Sequence, residues 1–146
     1  MVIENEMKYY LPHREPMLLV DKIIEIDHKF CHLVAELSAD RPYLDEHGIY
    51  KDHWNIELIA QGAATLFHHR SKKGNSKPKK GFLIAVDSYQ APYHPELRSG
   101  DCLELKINHE FDLPPFGGYS GKIYYQNEVV AEAAMKFVLA EKGDET

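Results

Sequence analysis

The chain is poor in cysteine and tryptophan, with two and one among 146 residues, and it has no apolar run near the ~20 residues a membrane-crossing helix needs. Cys31 and Cys102 sit in apolar stretches without Cys-x-x-Cys or Cys/His metal spacing, so both read as buried, reduced thiols. The first seven residues carry Glu4 and Glu6 where a secretory signal carries bases, and they lack an apolar core, which predicts a cytoplasmic protein. Internal repeats and long low-complexity tracts are missing. The nine histidines never form HExxH or a comparable ligand pair, and His68 and His69, being adjacent, point different ways on a helix. No G-x-S-x-G occurs either, so neither a metal nor a serine nucleophile is expected, and no cofactor is implied.

What is present suits one compact domain over residues 1–146. The chain is 44% hydrophobic and 27% charged, with a mean hydropathy of -0.44. Its net charge of -6 is uneven. Arg70, Lys72, Lys73, Lys77, Lys79 and Lys80 give +6 with no acid among them, leaving 11 bases against 23 acids, or -12, elsewhere. A local basic segment on an acidic chain argues against nucleic acid, which favours a broader basic face. It fits either a solvated loop or a dock for an acidic partner. Residues 71–80 are turn-rich and read as an exposed loop, and residues 143–146 as a flexible tail.

Residues 103–111 alternate apolar and polar side chains with period two, the pattern of a half-buried strand. Residues 129–139 do the same, and residues 119–125 supply a hairpin partner across Gln126, Asn127 and Glu128. Further strands are expected at 17–26, 30–37 and 82–90. Residues 54–67 break the period: they are apolar on nearly every side, free of proline, and preceded by Asp52 as an N-cap. A helix of that kind must be buried. One buried helix among antiparallel strands predicts an α+β domain whose curved sheet wraps the helix, the hot-dog architecture.

Glu57 interrupts this apolar helix between Ile56 and Leu58. A carboxylate there must be paired or partly protonated, and burial that raises its pKa would make it a general acid. Gln61 lies one turn further on and shares its face. The competing reading puts Glu57 at the helix start, stabilised by the helix dipole and by solvent at a dimer seam. His13 and Arg14 stand between Pro12 and Pro16, which restrict the backbone, so the turn either presents them to a pocket or packs locally.

Residues 11–21 (LPHREPMLLVD) followed by residues 56–64 (IELIAQGAA) resemble the 3-hydroxyacyl-acyl-carrier-protein dehydratases of the FabZ type, which read LPHRxPxLLVD and (I/V)E-x-x-AQ-x-x-A. The resemblance spans most of residues 9–140. It implies a dimer with sites at the subunit interface, Glu57 as active-site acid, and backbone N–H groups at the helix start polarising the thioester carbonyl. The family's basic histidine lies in H-F-P-G-x-P-x-M-P-G, which residues 43–54 (YLDEHGIYKDHW) replace. Counting back from Glu57 without a gap puts Tyr43 at that histidine, whereas a shift of four brings His47 there. This Trp54-containing approach is similar to the divergent dehydratase-like branch of aryl-polyene pathways, some of whose members work beside a complete partner subunit.

The resemblance therefore implies dehydration of a 3-hydroxyacyl thioester, with Glu57 as acid and His47 as base, supported by His13, Arg14, Gln61, Tyr43 and Trp54. An incomplete subunit paired with a complete protomer is the alternative, and a hot-dog thioesterase the third. The implied partners are an acyl carrier protein with a phosphopantetheine-linked chain and a second hot-dog subunit, identical or not. Arg70, Lys72 and Lys73 become the expected carrier-protein dock.

Overall fold

A computed structural model describes residues 3–4, 7–11, 14, 17–71 and 81–139. The elements run β1 (Ile3–Glu4), α1 (Met7–Tyr10), β2 (Lys22–Ile26), β3 (Phe30–Glu36), α2 (Asn55–Ser71), β4 (Gly81–Gln90), β5 (Cys102–Leu113), β6 (Phe116–Tyr125) and β7 (Glu128–Leu139). One antiparallel seven-stranded sheet has the order β1-β2-β3-β5-β6-β7-β4. It is the expected hot-dog arrangement, with α2 packed against β3, β5, β6 and β7. Register shifts in the β2–β3, β4–β7, β5–β6 and β6–β7 pairings add local twist, which curves the sheet about the helix.

The period-two pattern of β5 buries Leu103, Leu105 and Ile107 completely, each worth about 1.5–3 kcal/mol. The same alternation turns Cys102 outward. Both cysteines are free thiols, but only Cys31 is buried, which corrects the expectation for Cys102. The β6–β7 hairpin turns through Gln126 and Asn127, both at positive φ as a two-residue type I′ turn requires. Helix and sheet approach closely at two glycines: a Cβ at Gly62 would lie 2.8 Å from Ile107, and one at Gly121 would lie 2.7 Å from Ile59 and Ile107.

Three expectations need correction. Residues 17–21 are not strand, because the Gln61 side chain takes the Leu19 N–H and the Met17 carbonyl that a neighbouring strand would otherwise bond. The helix runs past residue 67 to Ser71, since His68 is buried edge-on against Tyr10 of α1, with ring centroids 5.7 Å apart. Asp52 is no side-chain N-cap. It opens a 3-10 turn, Asp52–Trp54, and its carboxylate meets His94 instead. The basic residues 72–80 and the tail 143–146 lie outside the described residues, as does His13.

Candidate active site

Glu57 is the third residue of α2, half-buried, and its Oε2 accepts a hydrogen bond from Gln61 Nε2 at 3.0 Å. Gln61 is fully buried, and all three of its bonds have a purpose. Nε2 also donates to the Met17 carbonyl at 2.7 Å, while Oε1 accepts from the Leu19 N–H at 2.9 Å. The amide thus acts as ladder partner for residues 17–19, and that anchorage fixes which way it holds the Glu57 carboxylate. Thr65 Oγ1, one further turn along, donates back to the Gln61 carbonyl at 2.9 Å.

The start of α2 carries a second buried network. Tyr50 Oη donates to Asn55 Oδ1 at 2.6 Å, and Asn55 Nδ2 donates to Tyr89 Oη at 3.2 Å, tying the helix to β4. Burial pushes the Tyr50 hydroxyl far above the usual phenol range. Beside it a cavity of about 360 Å³ is lined by Tyr50, Asp52, His53, Tyr93, His94 and Val130, among others. Trp54 precedes the helix with its ring 5.9 Å from that of His53, and among the described residues its buried Nε1 has no hydrogen-bond partner.

Tyr43, at the ungapped histidine position, is wholly buried. Its Oη accepts from the Ser38 N–H at 2.9 Å and donates to the Glu36 carbonyl at 3.3 Å, and its ring packs edge-on against Tyr50. It supports the loop from inside. His47 sits in a turn closed by Asp45, with its side chain 75% exposed beside Glu46. Arg14 is exposed and donates to the Leu11 carbonyl at 2.8 Å. Arg70 turns inward: its side chain is 14% exposed, pairs with Asp112 at 2.8 Å and donates to the His28 carbonyl. Lys72 and Lys73 lie outside the described residues.

Sequence reading missed two polar pairs. Asp21, the last residue of the LPHR motif, forms a two-pronged pair with Arg41 at 2.6 and 3.0 Å and accepts from the Glu36 N–H, pinning the loop after β3. Its place in the motif was the available signal. The other pair, Asp52 Oδ2 to His94 Nδ1 at 2.9 Å, joins residues 42 apart, and no local pattern announces it.

The profile of the ApeP-like family, described as ApeP dehydratase, matches residues 5–145. The chain belongs to that family. Its curated relatives include the 3-hydroxyacyl-(acyl-carrier-protein) dehydratase FabZ of Natranaerobius thermophilus, 29% identical over 145 residues, covering 94% of this chain and 97% of the relative. Among solved structures, the dehydratase heterocomplex ApeI:P from Xenorhabdus doucetiae superposes with a TM-score of 0.80 at 22% identity, covering 94% of this chain and 93% of that one. A hypothetical thioesterase with coenzyme A from Streptococcus pneumoniae gives 0.63 at 12% identity, covering 81% and 84%. Both likenesses show the hot-dog fold, which the ApeP-like chain shares with proteins of different chemistry.

Proposed function

We propose that this ApeP-like chain dehydrates a 3-hydroxyacyl thioester carried on an acyl carrier protein, with Glu57 as the acid. The observation that carries this reading is the Glu57 carboxylate in the first turn of the buried helix, oriented by a Gln61 amide that has no freedom left. A β-hydroxyl leaves poorly as hydroxide, so an acid positioned to protonate it is what the reaction most requires. As the α-proton departs, the C–H pair becomes the new double bond, the C–O bond breaks, and the oxygen leaves as water with the proton from Glu57. The test is to supply a 3-hydroxyacyl carrier-protein thioester and analyse the product. An enoyl thioester is expected, and Glu57→Gln should reduce its formation by about 100-fold or more while leaving the fold intact. Free acid and thiol would instead mean hydrolysis.

The active form is proposed to be an assembly with a second hot-dog subunit through β4, an edge strand that exposes Leu83, Ile84, Val86 and Tyr89. A second reading has a specific basis: with Tyr43 sealed in the core and His47 in solvent, the chain serves as a partial subunit that lends Glu57 to a complete partner. Co-expression with a complete hot-dog dehydratase subunit separates the two, because a homodimer fully active alone contradicts the partial-subunit reading. The carrier-protein dock is proposed at Lys72 and Lys73, since Arg70 is already engaged with Asp112. Charge reversal of both lysines should weaken carrier binding at low salt, where screening is least, and unchanged affinity there would refute the dock. A carrier-linked substrate goes with a cytoplasmic location.

A further inference from the structure

We infer that His94, oriented by Asp52, is the base that removes the α-proton, in the cavity at the start of α2. The inference rests on the dehydratase reading above and assigns to His94, 64% exposed in the single chain, the role the resemblance gives to His47, 75% exposed. Three observations converge on it. His94 Nδ1 lies 2.9 Å from Asp52 Oδ2, and since a carboxylate only accepts, the neutral imidazole carries its proton on Nδ1 and keeps the Nε2 lone pair for a substrate. Both residues line the 360 Å³ cavity, large enough for the reacting end of a thioester. Among the described residues three other histidines, His32 with Glu104, His109 with Asp112 and His47 with Glu46, also pair with carboxylates, but none of them lines this cavity.

Asp52, in the 3-10 turn that leads into α2, and Glu57, the third residue of that helix, are held by different neighbours. Asp52 looks to the loop after β4, where His94 lies. Glu57 looks to residues 17–19, where Gln61 holds it. A single protomer therefore presents base and acid on different sides. A two-subunit site resolves this by bringing His94 of one subunit to the Glu57 carboxylate of the other across one substrate. The loop carrying His94 begins directly after β4, the edge proposed to pair, so assembly and the base position are linked. In the reaction, His94 Nε2 takes the α-proton, the hydroxyl departs as water with the Glu57 proton, and the imidazolium then returns its proton to the Glu57 carboxylate or to solvent.

The experiment uses the assembled protein and two substrates. With the 3-hydroxyacyl carrier thioester, His94→Gln should lower kcat about 100-fold or more, and Asp52→Asn, which disturbs the positioning residue, about 10-fold, both with KM little changed. His32→Gln, which removes an imidazole–carboxylate pair on the sheet, should leave the rate unchanged. A saturated acyl thioester has the α-proton but no hydroxyl to lose, so its uptake of deuterium from heavy water reports the base alone. Uptake is expected in wild type and Glu57→Gln and lost in His94→Gln. Wild-type turnover that His94→Gln leaves intact overturns the assignment while sparing the dehydratase reading. Absence of both enoyl product and uptake in wild type overturns the two together.

Discussion

At Gln61 a side chain does what a neighbouring strand usually does, supplying a donor and an acceptor to the backbone of residues 17–19. Removing it leaves the Leu19 N–H and Met17 carbonyl without their partner inside the protein. Each such orphan costs about 1–3 kcal/mol, so Gln61→Leu should destabilise by about 2–6 kcal/mol in urea denaturation and cut kcat through the loosened Glu57. A stability loss under ~1 kcal/mol would contradict the role given to Gln61. Glu57 and Gln61 were visible because they interrupt an apolar helix one turn apart, whereas Asp21, at the end of a motif, was passed over. The Gln61 contacts to residues 17–19 and the Asp52–His94 pair were not visible, since each joins residues more than 40 positions apart.

Period and apolar content made the elements legible. Strand β3 alternates along its length and β5 over its first half, while α2 carries apolar residues on nearly every side. The failures came where tertiary contacts override pattern: residues 17–21 give up strand geometry to Gln61, and α2 gains a turn because Tyr10 covers His68. The far end of that helix is latched to the β5–β6 hairpin by Asp112, which bridges Arg70 and His109. Partial burial opposes the charge of Asp112, but His109 and Arg70 outweigh it and hold the carboxyl below the ordinary aspartate value of 3.8. A carboxyl depressed in the folded state stabilises fully above its unfolded value, and loses that contribution as pH falls through the folded one. The stability gap between wild type and Asp112→Asn should thus hold steady above 3.8 and close below it, as followed by urea denaturation. The gap should be modest, under ~1 kcal/mol, because the Asp112 carboxylate is more than half exposed and solvent screens it. A gap that stays constant in acid would contradict the latch.

Over the whole molecule, the feature that composition could not reveal is β4. It reads as an ordinary strand, yet it sits at the sheet edge with apolar side chains exposed along its length. An edge of this kind invites pairing unless it is covered. Ile84→Lys should convert the assembled protein to monomer in sedimentation or light scattering and abolish turnover with it. A monomeric wild type, or an active monomeric variant, would contradict a shared site. The charge asymmetry fits the same picture, with a basic segment on an otherwise acidic subunit that would repel an acidic carrier elsewhere. The proposed role of Glu57 as dehydratase acid is tested by product analysis after wild-type and Glu57→Gln assemblies meet a 3-hydroxyacyl carrier-protein thioester: enoyl thioester is expected from wild type and almost none from the variant, while free acid and thiol, or equal enoyl yield from both, would overturn that role.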